Sequence, residues 1–111
     1  MPKESSIKAK IMDWAKTEPD LFVVKIHGNP YMRKGLPDLM GSVGIVAWYC
    51  ELKRPGKKRT ELQKITAKKI IAAGAPYCVA HSLEEFQDFI NRCRLRAPTE
   101  DFLLTTTPAS G

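Results

Sequence analysis

The sequence has few cysteines, few histidines and no long hydrophobic run. The three cysteines among its 111 residues are widely spaced and form no Cys-x-x-Cys pair, so neither a disulfide framework nor a zinc site is indicated. No apolar run approaches the roughly 20 residues that span a bilayer. The polar start Met1–Glu4 lacks the apolar core of a signal peptide. The sequence therefore predicts an intracellular protein without a membrane segment.

The length and the charge of the chain favour one domain with an anionic partner. The chain carries 18 Lys and Arg against 12 Asp and Glu, which gives a net charge of +6 and a pI near 9.4. We expect a single domain over residues 1–97. Residues 98–111 have no periodicity, and we expect a C-terminal tail that is either flexible or docked on a neighbouring subunit.

Hydrophobic periodicity and turn residues predict the element order αβββαβα. Predicted helices cover 3–17, 61–73 and 83–94, the last capped by Ser82, and predicted strands cover 21–26, 38–41, 45–53 and 76–81, with a turn at 42–44. The second helix would join two apolar strands as a parallel crossover. Its predicted core-facing residues are Leu62, Ile65, Thr66 and Ile70. The predicted fold class is α/β, with a small mixed β-sheet flanked by helices.

Two carboxylates and an ammonium group lie at the ends of the central predicted strands. Asp38 follows a proline, and 12 residues later the chain reads Glu51-Leu52-Lys53. Side chains alternate along a strand, so Glu51 and Lys53 point to the same face. Acids beside a lysine suit metal-assisted phosphodiester cleavage, because carboxylates hold a hard divalent cation and an ammonium stabilises the attacking oxygen.

Each of these residues also has a purely structural interpretation. Asp38 alone would be a turn aspartate, and Glu51 with Lys53 could be an ion pair at a strand end. Gln63 could complete a capping box with Thr60, or orient water or a phosphate, and both roles stay open. Glu4, in the first turn of a helix, could interact with the helix dipole or add an acid to the metal site.

Basic residues flank the acids on both sides along the chain. A charged run is usually a solvated face, but its position beside the acids favours contact with phosphate groups. Such contacts give affinity without sequence choice. The candidate DNA-binding residues are Lys25, His27, Arg33, Lys34, Arg54, Lys57, Lys58, Arg59 and Lys64.

The motifs together resemble the VRR-NUC domain, the virus-type replication–repair nuclease branch of the PD-(D/E)XK superfamily. The resemblance covers about residues 4–93. It rests on these segments: Lys25–Gly28, Gly35–Leu39, Glu51–Gly56, Thr60–Gln63 and Val79–Glu85. It implies a restriction-endonuclease-like core and a stand-alone phage or prophage protein of the bacterial cytoplasm.

The resemblance also implies an activity and its residues. We expect a Mg²⁺- or Mn²⁺-dependent endonuclease that cuts DNA, with Asp38, Glu51 and the backbone carbonyl of Leu52 as metal ligands. Lys53 matches the catalytic lysine of the family, Gln63 its helix glutamine, and Glu4 its acid on the first helix, which would reach the metal directly or through water. Stand-alone members look like homodimers that cut branched DNA such as four-way (Holliday) junctions.

Two other functions remain open at the level of sequence. One is a nicking or flap nuclease of phage replication and repair. The other is a non-catalytic module that keeps the fold and binds DNA through its basic face. The intact set Asp38, Glu51 and Lys53 counts against the second, because acids beside phosphates repel them.

Overall fold

Three helices and four strands follow one another in the predicted order. The computed structural model describes residues 3–96, so the predicted tail lies outside the described residues. The elements are α1 (Glu4–Ala15), β1 (Leu21–Lys25), β2 (Leu39–Val43), β3 (Val46–Leu52), α2 (Glu61–Ala72), β4 (Tyr77–Ala80) and α3 (Leu83–Arg94). The order αβββαβα is confirmed. None of the helices within these residues is long and apolar enough to cross a bilayer.

The four strands form one mixed sheet in the order β1-β2-β3-β4. The first three strands are antiparallel neighbours, and β3 pairs with β4 in parallel. Parallel strands need a long crossover connection, which α2 supplies. The predicted small mixed α/β sheet and its parallel crossover are therefore confirmed.

The turn between β2 and β3 lies later than predicted. Ser42 and Val43 belong to β2 and pair with Ala47 and Val46, which leaves Gly44 and Ile45 as a two-residue loop. Gly44 has a φ of 60°, and glycine at the first loop position is typical of a type II′ hairpin turn. The predicted turn at 42–44 was wrong because Ser42 resembles a turn residue, whereas the hairpin geometry is set by Gly44.

The hydrophobic core lies between the sheet and the helices α1 and α3. Trp48 of β3 packs edge-to-face on Phe86 and Phe89 of α3, with ring centroids 5.3 and 6.3 Å apart. Ile7 and Ile11 of α1 belong to the same cluster. Ser82 is the N-cap of α3, and its hydroxyl accepts a hydrogen bond from the Glu85 backbone amide at 3.1 Å.

Arg94, at the end of α3, joins that helix to the start of β1. Its guanidinium donates to both carboxylate oxygens of Asp20, at 2.9 and 2.7 Å, and to Glu18 at 2.9 Å. It also lies 6.0 Å from the centre of the Trp14 ring. The hydrogen bond from Arg94 holds the pKa of Asp20 below its ordinary value. Both apolar and ionic contacts therefore hold α3 against this side of the sheet.

Helix α2 covers the opposite face of the sheet only in part. Thr66 and Ala67 are its buried residues, whereas Leu62 and Ile65 remain 50% and 46% exposed. The prediction that Leu62 and Ile65 face the core was therefore wrong. The helix meets the sheet through small side chains, and a groove of about 760 Å³ remains between α2, the sheet residue Met40 and the β1–β2 loop.

Candidate active site

Asp38 lies where the β2–β3 ladder ends. Its backbone amide donates to the Cys50 carbonyl at 3.1 Å, and its carboxylate oxygen Oδ2 accepts the Leu52 amide at 2.7 Å. The amide and carbonyl of one strand residue point to the same side. The Leu52 carbonyl therefore faces the same side of β3 as the Asp38 carboxylate, and two oxygen donors of different chemistry lie at one strand end.

Glu51 is a carboxylate with no exposed surface. Cys50 and Leu52 belong to the core, so alternation turns Glu51 to the other face of the sheet. Its Oε1 accepts a hydrogen bond from the Tyr77 hydroxyl at 2.9 Å, while its Oε2 has no hydrogen-bond partner. An unpartnered buried carboxylate oxygen is costly, so this atom is the strongest sign that the site accommodates a cation.

Lys53 lies close to Glu51 but does not form a tight ion pair with it. Its Nζ is 4.0 Å from Glu51 Oε2, and its side chain is 11% exposed. This separation is beyond hydrogen-bonding distance. The ammonium therefore lies beside the buried carboxylate, at the end of the strand, while it retains some access to solvent.

Burial raises the pKa of Glu51 above its ordinary value. The Tyr77 hydrogen bond and the positive charges of Lys53 and Arg59 oppose this rise, and the negative charge of Asp38 adds to it. Like charges that disfavour each other in this way are the arrangement that a divalent cation relieves. The pair therefore suits a hard metal ion.

The described residues supply only part of a complete metal coordination shell. Among residues 3–96, no group of three or more His, Cys, Asp or Glu side chains gathers at one point. Asp38, Glu51 and the Leu52 carbonyl would give three oxygen ligands, and Mg²⁺ commonly keeps several waters. The donor set fits a divalent cation that is partly hydrated.

Glu4 lies near Lys53 but is not one of a three-acid cluster. It lines a depression of about 410 Å³ together with Lys53, Arg54 and Lys57. A carboxylate in this position faces the basic end of the site. Its predicted contact with a metal, directly or through water, stays a prediction.

Gln63 forms the capping box that its spacing with Thr60 indicates. Its side-chain Oε1 accepts a hydrogen bond from the Thr60 backbone amide at 2.9 Å, and its backbone amide donates to the Thr60 hydroxyl at 3.1 Å. The structural role is thus confirmed, and the catalytic role stays a prediction. The β1–β2 loop touches this helix start, because a Cβ at Gly35 would lie 2.6 Å from the Leu62 carbonyl oxygen.

The predicted DNA-binding residues differ in their surroundings and in how close they lie to the acids. Arg33 and Lys34 line a cleft of about 310 Å³ that also contains Asp38. Arg59 is half-buried and acts on Glu51 through its charge. Lys64 lies 3.4 Å from the carboxylate of Glu61. The remaining residues of the set are exposed: Lys25, His27, Arg54, Lys57 and Lys58.

Tyr77 is the site residue that the sequence did not reveal. It pairs with Tyr49 across the parallel β3–β4 ladder, which brings its hydroxyl to Glu51. A tyrosine at the start of a strand gives no signal of this contact. The register between the two strands, which depends on the packing of α2, would have been needed to find it.

Comparison with known proteins identifies the fold. No protein-family model matches the chain, and no curated protein matches it. Solved structures do match it. A "VRR_NUC domain" shares 22% identity at a TM-score of 0.68 and covers 82% of this chain and 97% of its own. A "VRR_NUC domain protein" shares 17% identity at a TM-score of 0.68 and covers 83% of this chain and 88% of its own. The chain has the fold of the VRR_NUC domain.

Proposed function

We propose that this chain is a metal-dependent, structure-selective DNA endonuclease that hydrolyses phosphodiester bonds. The observation that carries the proposal is the buried Glu51 carboxylate with its unpartnered Oε2, beside Lys53 and one residue before Leu52, whose amide donates to Asp38. A protein that only binds DNA gains nothing from a buried acid of this kind, because the acid costs free energy and repels phosphate. The VRR_NUC fold of two solved structures supports the same activity.

The residues that would hold a divalent cation are Asp38, Glu51 and the Leu52 carbonyl, with Glu4 acting through water. Bound Mg²⁺ or Mn²⁺ would lower the pKa of an attacking water and neutralise charge on the phosphate. Tyr77 holds one oxygen of Glu51 and leaves the other free to act as a ligand. The oxygen donors and the burial of Glu51 support this assignment.

Lys53 and Gln63 would act on the phosphate and the attacking water. The Lys53 ammonium lies within 4.0 Å of the buried acid and would stabilise negative charge that develops on the phosphate oxygens. The capping bond uses Gln63 Oε1, so its Nε2 can donate to water or phosphate at the same time. The two roles of Gln63 are therefore compatible.

The basic residues would position the DNA backbone over the acids. Arg33 and Lys34 share a cleft with Asp38, and Arg54 and Lys57 share one with Lys53. Phosphate contacts of this kind make affinity depend steeply on salt and give no base preference. Selection of DNA by shape, as in a four-way junction, is consistent with such a surface.

A homodimer would complete the function on branched DNA. One acid pair cuts one strand, and symmetric paired cuts need two sites related by a two-fold axis. Exposed apolar side chains, among them Phe22 and Leu62, support self-association. The resemblance further implies action in the cytoplasm of a bacterial host, as part of a phage or prophage.

The test compares wild type with Asp38→Asn on labelled duplex, single-stranded, flap and four-way-junction DNA, with Mg²⁺, Mn²⁺ or EDTA. Asparagine keeps an oxygen for the Leu52 amide and removes the charge. We expect metal-dependent cutting that falls about a thousandfold in the variant, with DNA binding retained. The matched control is Asp88→Asn, an exposed acid paired with Arg92 on α3, which should cut like wild type.

The pattern of cuts separates the alternatives. Paired symmetric cuts on the junction would support a junction-resolving homodimer if light scattering on the same sample gives the mass of a dimer. Cuts confined to flaps or single nicks would favour the nicking or flap nuclease. Tight binding with no cutting under any metal would overturn the catalytic proposal in favour of a DNA-binding module.

A further inference from the structure

Two of the three cysteines face each other across the parallel β3–β4 ladder. Cys50 and Cys78 are direct partners in the register, and their Sγ atoms are 3.1 Å apart. Cys50 is fully buried, whereas Cys78 is half-buried. Both are free thiols and take no part in the proposed cleavage chemistry. The pair lies on the core side of the sheet, on the other side of β3 from the Glu51 carboxylate.

The third cysteine lies close to this pair. Cys93 of α3 and Cys78 line a surface pocket of about 160 Å³, which Arg92 and Arg96 also border. Cys93 is a free thiol that is buried in the core. The pocket gives small molecules a path from solvent to Cys78, the more accessible member of the pair.

The spacing of neighbouring strands lies within the range that a disulfide can bridge. Neighbouring strands lie about 4.7–4.9 Å apart, which falls inside the Cα separations of about 4.4–6.8 Å that a disulfide spans. We propose that Cys50 and Cys78 form an oxidation site, which an oxidant of the peroxide class converts to a disulfide between β3 and β4. The bond closes a loop that contains the whole of α2.

The chemistry balances in two steps. The Cys78 thiolate attacks one peroxide oxygen, which forms a sulfenic acid and releases hydroxide, and the thiol proton neutralises that hydroxide to water. The Cys50 sulfur then attacks the sulfenic sulfur, which forms the S–S bond and releases a second water. Two thiols are oxidised by two electrons, and one peroxide is reduced to two waters.

The bond also acts on the proposed nuclease site, and this part rests on the proposed function. The Cys50 carbonyl accepts the Asp38 amide, and the next residue is Glu51. Closing the sulfurs from 3.1 Å to the disulfide length of about 2.05 Å requires about 1 Å of movement, which rotation of the two side chains and a displacement of β3 at Cys50 share. Because a misplacement of about 1 Å in a catalytic group lowers rates by roughly 100-fold, we expect a loss of cleavage rate of up to roughly 10–100-fold.

The test treats the full chain with hydrogen peroxide and follows mass, thermal stability and cleavage. We expect the loss of two hydrogen atoms in the intact mass, a Cys50–Cys78 peptide after digestion, and reversal by dithiothreitol. Because a disulfide restricts the unfolded chain, the midpoint of thermal unfolding should rise by about 10 °C. Cys93→Ala keeps the pair and should behave like wild type, whereas Cys78→Ala should show none of these changes.

Three outcomes would overturn the proposal. They are a native protein that keeps all three thiols after treatment, a bond that maps to Cys93, and a bond that joins two chains. Mass and stability do not depend on catalysis, so they test the oxidation site even where no DNA is cut. Oxidised protein that cuts as fast as reduced protein would overturn the effect on the nuclease site alone.

Discussion

The two faces of the sheet differ in how their residues are used. On the face covered by α1 and α3, Trp48 and Phe86 are fully buried in an apolar cluster. On the face shared with α2, the buried side chain of Glu51 is acidic, and large apolar residues such as Phe22 remain exposed. The first face therefore buries most of the apolar side chains, whereas the second buries an acidic group at a cost in free energy.

The largest difference in the free energy of unfolding should appear when one phenylalanine on each face is replaced by alanine. Phe86→Ala removes a ring that packs on Trp48 at 5.3 Å, and we expect a loss of about 4 kcal/mol in the free energy of unfolding. Phe22→Ala, at a side chain that is 62% exposed, should cost less than about 1 kcal/mol. Urea denaturation of both variants measures the difference. Equal losses would mean that the second face is covered in solution.

A smaller effect should come from the ionic contacts that close the first face. Arg94→Ala breaks the hydrogen bonds to Asp20 and Glu18, and we expect a loss of about 2 kcal/mol at pH 7. The control is Arg92→Ala, which breaks an exposed pair with Asp88 and should cost less than about 0.5 kcal/mol.

The effect of Arg94→Ala should depend on pH in one direction. The pKa of Asp20 is lowered in the folded protein. Its contribution is therefore full above the unfolded-state pKa of about 3.9 and is lost as the pH falls through the folded value. The stability difference between wild type and variant should start to shrink below about pH 4 and should vanish only below the lowered folded-state pKa of Asp20. A difference that stayed constant down to pH 2 would show that the contact is packing and not charge.

On the second face, a substitution should stabilise the protein while it removes the proposed activity. Burial raises the pKa of Glu51, so its ionised form is costly in the fold, and we expect Glu51→Gln to gain about 1 kcal/mol at pH 7 in the absence of divalent metal. The exposed Glu84→Gln is the control and should change stability by less than about 0.5 kcal/mol. A less stable Glu51→Gln would mean that Lys53 compensates the buried charge fully.

The smallest effect should come from α2. Ile65→Gln alters a side chain that is 46% exposed, and we expect a change within about 0.5 kcal/mol for the monomer. The proposed homodimer gives this variant a second readout, its dissociation constant measured by sedimentation. A large loss of monomer stability would contradict the open second face.

The comparison of the faces also explains what the sequence could predict. The buried residues of the first face follow from periodicity. Ile7 and Ile11 are one helical turn apart on α1, and buried residues alternate along the strand that contains Trp48. The placement of Asp38 beside β3 follows from two strand ends joined by a hairpin. Both depend on residues that are near in sequence or follow simple alternation.

The features that were missed depend on how distant elements pack. The exposure of Leu62 depends on where α2 sits over the sheet, which its own apolar pattern does not specify. The Tyr77–Glu51 bond and the contact between Cys50 and Cys78 depend on the parallel register. These contacts bridge residues 26 and 28 positions apart, and no local pattern encodes them.

The contact at Gly35 has a consequence for how the protein would grip a nucleic acid. The loop that carries Arg33 and Lys34 touches the start of α2 at a point where there is room for a hydrogen atom but not for a methyl group. Gly35 also has a φ of 83°, which favours glycine. The missing Cβ of Gly35 thus sets the distance between the basic loop before β2 and the basic segment that leads into α2. That distance would in turn set the length of DNA backbone that the two segments contact together.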